Sequence, residues 1–303
     1  MKKVLLTGAS GFVGRHCLPA LRSRGFEVHA LSSKETASVA IAGVHWHHAD
    51  LLDQAQVASL LAALRPTHLL HSAWYAVPGK YWEAPENFRW VEASAHLFKT
   101  FVEAGGRRVV GVGSCAEYDW KDGCCSEQST PLNPTTTYGV CKHTLQLRLA
   151  TLAEETGLSA AWGRIFFLYG PYEYQERLVA SIISALLREQ PAPCSHGDQV
   201  RDFLYVADAA DALVALLDSE VSGAVNIASG VPLRLHELIN QIAAYLERAD
   251  LIQFGARATP ASEPPVLVAE VGRLRNEVGW TPQHSLAQGL AETIEWWKLQ
   301  LAK

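Results

Sequence analysis

Tyr138 and Lys142 stand four residues apart in TTYGVCKHT, at the start of a run with helical patterning. On an α-helix that spacing puts both side chains on one face. A free tyrosine titrates near ~10 and exchanges protons poorly at neutral pH. A neighbouring ammonium favours the phenolate and brings that value down. The pair can then pass a proton to or from a carbinol or carbonyl oxygen while hydride moves at the adjacent carbon. Taken alone, the spacing is also that of an ordinary surface pair, and Leu145, Leu149 and Leu152 continue the same face as core. A second candidate lies in GVGSCAEYDW, where Ser114 and Cys115 follow a run of valines and glycines. A nucleophile on a sharp turn would suggest a hydrolase. That chemistry wants a G-x-S-x-G elbow with acid and histidine partners, and VGSCA lacks the second glycine. A hydroxyl that hydrogen-bonds beside a bound cofactor is the other reading.

The elements around these residues favour the second reading. LLTGASGFVGRH places Gly8, Gly11 and Gly14 directly after a first strand and at the start of a helix. Glycines there let the backbone approach a pyrophosphate, and the helix N-terminus offers free N–H groups. The spacing is G-x-x-G-x-x-G, one residue wider at its start than the usual dinucleotide fingerprint. The second strand ends HALSSKE, so Ser32, Ser33 and Lys34 stand where an acid would hold the ribose of NAD. Hydroxyls and a positive charge suit a 2′-phosphate, which favours NADP(H), with NAD(H) left open because Glu35 is a rival ribose ligand.

Short apolar runs at 3–8, 26–32, 67–73, 107–113 and 158–167 read as strands covered on both faces, with helices near 12–24, 53–64, 86–104 and 138–156. Pro19 is expected to bend the first of these helices. The alternation argues for a parallel sheet with helices on both sides. After about residue 168 the pattern loosens into loop-rich sequence. The 303 residues allow one large domain or two ordinary ones, and 49% hydrophobic with 19% charged residues is the composition of a packed core. A net charge of −5 argues against a general nucleic-acid or membrane-surface binder. The six cysteines, Cys124 and Cys125 adjacent, show no metal-ligand spacing and read as reduced thiols. No metal is expected. The run HWHH at 45–48 lies on a short strand whose alternate residues face opposite ways. No apolar stretch approaches a signal or membrane segment, so a cytoplasmic location is expected.

Together, TGASGFVG (7–14), ADLLD (49–53), LLHSA (69–73), YGVCK (138–142), YGP (169–171), RDFLYVADAADA (201–212), NIASG (226–230) and LRNEVGW (274–280) resemble the extended short-chain dehydrogenase/reductases, in their nucleotide-sugar epimerase, dehydratase and reductase branch. The resemblance runs over nearly the whole chain. It implies an α/β fold with a Rossmann-type doubly wound parallel sheet. Residues 1–167 would bind NAD(P), with a return segment near 200–230, and 168–303 would form a smaller, loop-rich substrate domain. It implies that Phe12 and Val13 join the three glycines in the cofactor loop, and that Asp50 and Leu51 border the adenine. Ser114, Tyr138 and Lys142 become the catalytic set, Lys142 also holding the nicotinamide ribose. Arg201 becomes a ligand of the substrate diphosphate, where an ion pair with Asp202 or Asp208 is the alternative. Helices 86–104 and 138–156 are implied to pair with those of a second copy in a homodimer.

Departures from the family pattern narrow the chemistry. Sugar-nucleotide dehydratases carry Asp-Glu directly after the catalytic hydroxyl, whereas this chain has Cys115 and Ala116, so dehydration is not expected. Phe167 replaces an asparagine expected to meet substrate phosphates. The loop SAWYAVPGKYW is aromatic, and Trp74, Tyr75, Tyr81 and Trp82 are candidates to stack on a sugar or base, or to pack the cleft. Lys80 is a candidate phosphate contact. The resulting expectation is NADPH-dependent reduction of a nucleoside-diphosphate-linked 4-keto-6-deoxy sugar. A nucleotide-sugar 4-epimerase that retains NAD is the alternative, and a non-catalytic cofactor sensor a lesser one.

Overall fold

The computed structural model describes residues 2–34, 41–259 and 263–302. Its first half alternates β1 (Lys3–Thr7), α1 (Phe12–Ser23), β2 (Glu27–Ser32), β3 (Val44–His48), α2 (Gln54–Leu64), β4 (His68–His71), α3 (Glu86–Glu103) and β5 (Arg108–Ser114). There follow β6 (Cys124–Cys125), α4 (Thr137–Thr156), β7 (Ser159–Ile165), β8 (Phe167–Tyr169), α5 (Leu178–Leu187), β9 (Ala192–Pro193), β10 (Val200–Tyr205) and α6 (Val206–Asp218). The chain ends with β11 (Gly223–Ile227), β12 (Pro232–Arg234), α7 (Leu235–Leu246), β13 (Ile252–Gln253), β14 (Val266–Ala269), α8 (Gly272–Asn276) and α9 (Leu286–Leu301).

Seven strands form one sheet in the order β11-β7-β5-β4-β1-β2-β3, every neighbouring pair parallel. Strands such as Val4, Leu5 and Leu6 are fully buried because both faces of the sheet are covered. Leu18, Leu21, Leu213 and Leu217 from α1 and α6 cover one face. Leu61, Leu97, Phe101, Leu145 and Leu149 from α2, α3 and α4 cover the other. This is the doubly wound, Rossmann-type arrangement. From β1 the chain winds outward to β2 and β3, then resumes at β4 and winds the opposite way. That reversal falls at the carboxyl ends of β1 and β4, the place where open α/β sheets form their ligand crevice. Two helix starts near the crevice are fixed by side chains: Asp53 caps α2 through the N–H of Ala55 at 2.9 Å, and Thr136 caps α4 through the N–H of Gly139 at 3.1 Å. α1 runs through Pro19 as one helix.

The apolar run expected as one strand over 158–167 divides in the structure. β7 stops at Ile165, and β8 pairs with β10 in a second, smaller sheet with β12, β14 and β6. A continuous apolar run does not encode which neighbours its two halves will find. Ile182, Ile183, Leu238, Ile242 and Ile294 from α5, α7 and α9 build a separate core beside this sheet. Among the described residues no helix is long and apolar enough to cross a membrane.

Candidate active site

Gly8 adopts φ 67°, and a Cβ there would come within 2.8 Å of the Ala73 nitrogen. A Cβ on Gly14 would lie 2.1 Å from the Gly8 carbonyl oxygen. The loop after β1 is therefore packed against the loop after β4 so closely that only glycine fits. Gly11 is the N-cap of α1, no side chain caps that helix, and its first turn carries no acid. Free N–H groups at the positive end of a helix dipole, beside glycines that let a ligand come close, suit a pyrophosphate. Phe12 and Val13 turn instead toward the smaller core, Val13 touching both cores. Arg15 lies across the loop, donating to the carbonyls of Ser10 at 2.6 Å and Gly11 at 3.2 Å.

At the end of β2 the Ser32 hydroxyl is buried in a turn, 3.1 Å from the Ser10 hydroxyl and accepting from the Lys34 N–H at 3.0 Å. Ser33 and Lys34 are exposed, and Glu35 lies outside the described residues. The exposed Asp50 accepts from the Leu52 N–H at 2.9 Å, and Leu51 packs into the core. His45 and His47 flank His29 with ring centroids 5.0 and 5.1 Å away, while His48 faces the Ser33 carbonyl at 3.1 Å.

Ser114 ends β5 at the crevice and accepts from the Ala116 N–H at 3.2 Å. Glu117 reaches back to the Ser114 N–H at 2.8 Å and is ion-paired with Arg164 Nε at 2.7 Å, both fully buried. Trp162 Nε1 also donates to Glu117 at 2.9 Å, so the turn carrying Ser114 rests on a fixed polar base. The base was readable in outline, since Ser114 and Glu117 form an S-x-x-E capping box. Arg164, a single arginine in a strand, gave no such signal.

Tyr138 and Lys142 emerge from the first turns of α4. Lys142 is buried, donates to the Val112 carbonyl at 2.9 Å, and lies 5.9 Å from the centre of the Tyr138 ring. Burial pushes its ammonium down to about 7, with Glu117 pulling the other way. Burial is also the main influence on Tyr138, raising its hydroxyl well above the ordinary range; Tyr81 adds to this and the Ser114 hydroxyl opposes it. Tyr138 is thus held as a phenol, against the expectation that the Lys142 ammonium brings its hydroxyl down, because burial dominates. His71 at the end of β4 is held between Thr7 and Ser94 at 2.8 Å each, and burial pushes it down to about 3, so it stays neutral.

The aromatic loop closes on this group. Tyr81 and Trp82 meet the Tyr138 ring edge-on at 4.9 and 5.7 Å, and the Tyr138 N–H donates to the Trp82 carbonyl at 2.9 Å. Arg177 lies 5.3 Å from the Tyr81 ring centre. Trp74 sits over Lys142 and edge-on to Tyr138. Of the two roles open to these aromatics, packing the cleft is what the described contacts support. Tyr75 is half-buried, and Lys80 stands exposed at the loop tip.

Arg201 has an ion-pair partner other than the two expected as alternatives to a diphosphate. It is buried and donates to Glu263 at 2.7 Å, not to Asp202 or Asp208. Asp202 is occupied by Ser229 and Gly230, and Asp208 by Gln283 and His284. Glu173, which no sequence pattern marks, is buried with Oε2 unpartnered among the described residues.

A glycine cradle at the switch point and a Ser–Tyr–Lys cluster across the crevice define a nicotinamide-dependent, oxidoreductase-type enzyme of the extended short-chain dehydrogenase/reductase class. Residues 4–228 match the NAD dependent epimerase/dehydratase family, and the chain belongs to that family. It is 25% identical, over 80% of this chain and 89% of the other, to the dTDP-6-deoxy-L-talose 4-dehydrogenase (NAD(+)) of Aggregatibacter actinomycetemcomitans. Among solved structures it resembles the UDP-N-acetylglucosamine 4-epimerase of Methanobrevibacter ruminantium M1 in complex with UDP-N-acetylmuramic acid. That likeness has a TM-score of 0.88 and 25% identity, over 99% of both chains. MoeE5 in complex with UDP-glucose and NAD gives a TM-score of 0.84 and 27% identity, again over 99% of both chains.

Proposed function

We propose that the protein reduces the 4-keto group of a 6-deoxy sugar carried on a nucleoside diphosphate, with NADPH as reductant. The observation that carries this reading is the placement of Tyr138 and Lys142 on the first turns of α4, with Lys142 5.9 Å from the Tyr138 ring centre and burial keeping the hydroxyl on its protonated side. A reductase needs a proton donor of this kind. Lack of an acid at positions 115 and 116 removes the groups a dehydratase would use. The talose relative adds support, because a 4-dehydrogenase of a dTDP-6-deoxy sugar run in reverse is a 4-keto reductase.

The glycine loop and the N-terminus of α1 would hold the pyrophosphate, and the N–H groups of Lys142 left over from Val112 would reach the nicotinamide ribose. When bound, the nicotinamide supplies hydride to the carbonyl carbon. Ser114 orients the carbonyl oxygen, Tyr138 gives it the proton as negative charge develops, and the Lys142 ammonium stabilises the phenolate left behind. Ser33 and Lys34, exposed beyond β2, are the proposed contacts of a 2′-phosphate. We assign substrate binding mainly to residues 168–303, with Arg201 meeting the diphosphate in exchange for Glu263. Phe88, Val140 and Leu147 stand exposed on α3 and α4, and a second copy covers them in the proposed homodimer.

The test is NADPH and NADH oxidation against CDP-, GDP- and dTDP-linked 4-keto-6-deoxyhexoses. Net NADPH consumption that falls by about 10²–10⁴-fold in Tyr138→Phe is expected. The 4-epimerase likeness gives the second reading its support. Interconversion of two nucleotide sugars without net cofactor consumption, with NAD co-purifying, would replace the first reading by the second.

A further inference from the structure

We propose that Trp74 is the positioning residue of Lys142, holding the ammonium against its indole face, and is not a platform for the substrate. The Lys142 Nζ lies 3.9 Å from the Trp74 ring centre, closer than it stands to the Tyr138 ring. An ammonium carries three N–H donors. Among the described residues this one has a single hydrogen-bond acceptor, the Val112 carbonyl. A buried charge with so few partners needs another source of stabilisation, and the face of an indole supplies it.

The ring is fixed before any ligand arrives. Trp74 Nε1 donates to Asn87 Oδ1 at 2.8 Å, and the wholly buried Asn87 is itself held by the carbonyls of Tyr81 at 2.7 Å and Ala84 at 2.9 Å. Trp90 lies tilted beside the indole, ring centre to ring centre 6.2 Å. The loop after β4 thereby sets the place of a side chain on α4. The same ring is edge-on to Tyr138 at 6.5 Å, so one residue touches both members of the pair.

The other charged and titratable groups around Lys142 are few. Glu117, from the turn after β5, is committed to Arg164. His71, from β4, is held neutral between Thr7 and Ser94. Tyr138, on the same helix, is held as a phenol. Trp74 is therefore the partner whose removal is felt most directly as a change in the ease of protonating Lys142.

This inference rests on reading Tyr138 and Lys142 as the proton-handling pair, and its test needs no substrate. Lysines carrying 13C at Cε are titrated by NMR in the whole protein, with Lys142 assigned by its absence from Lys142→Met. Trp74→Leu should lower the Lys142 midpoint by about one pH unit, whereas Trp74→Phe, which keeps an aromatic face, should stay within a few tenths. Tryptophans with increasing numbers of ring fluorines, which weaken attraction for cations at nearly constant shape, should lower it progressively and serve should the leucine variant not fold. In turnover, Trp74→Leu should move the alkaline limb of kcat to lower pH by the same amount while KM changes less than twofold. A midpoint unmoved by either leucine or fluorination would overturn the proposal. So would a tenfold rise in the substrate KM with the kcat profile unchanged.

Discussion

Replacing Glu173 by glutamine should change how stability depends on pH. The carboxyl follows a strained turn, with Gly170 at φ 153° and Tyr172 at φ 69°, and is 9% exposed. Burial raises it from the ordinary 4.5 to about 8, against a smaller opposing pull from Arg177. The folded protein therefore binds this proton more tightly than the unfolded chain does. Its contribution to stability is fully present below pH 4.5 and drains away as pH climbs toward about 8. At about 1.4 kcal/mol per pH unit, the loss between pH 5 and pH 8 has a ceiling of about 3.5 kcal/mol. Glutamine cannot ionise and should escape it. Urea unfolding of both proteins at pH 5, 6.5 and 8 measures the difference, and any constant cost of the amide cancels in the comparison. The variant should gain steadily on the wild type as pH rises. Stability curves that run parallel within about 0.5 kcal/mol would show that the carboxyl is not confined as described.

Gly14→Ala forces a methyl to within 2.1 Å of the Gly8 carbonyl oxygen, so the loop must move. NADPH affinity, followed by nicotinamide fluorescence, should fall at least tenfold, with a stability loss of about 1–3 kcal/mol. Leu147→Asp puts a charge on the face shared by α3 and α4. Light scattering should show the mass halved if two copies meet there, and an unchanged mass would place the interface elsewhere.

The βα alternation was legible because strands buried on both faces are short and uniformly apolar, and β1 and β4 each lead into a helix. The glycine loop and the Tyr138–Lys142 spacing were legible for a related reason. Their geometry is local, set by one turn or by two turns of one helix. The division at Phe166 was not, since β8 leaves the main sheet to pair with β10, more than 30 residues later. The buried Glu117–Arg164 pair joins the turn after β5 to β7, and no sequence period links such positions.

Arg201 and Trp74 show what residue type leaves out. An arginine near a diphosphate site and a tryptophan near a sugar site suggest ligand contacts by chemistry alone. In the fold, Arg201 is already answered by Glu263, and Trp74 by Lys142 and Asn87. Each side chain thus has a protein partner that a ligand must displace or share. The two cases differ in what displacement would cost. Glu263 is about one-third exposed and can return to water once a diphosphate takes the guanidinium. Lys142 is buried, and withdrawing the indole would leave an ammonium with one acceptor in a site that already resists its charge. Substrate exchange is therefore cheap at Arg201 and costly at Trp74, which is why the first remains a candidate for binding and the second belongs to the machinery that keeps Lys142 in place.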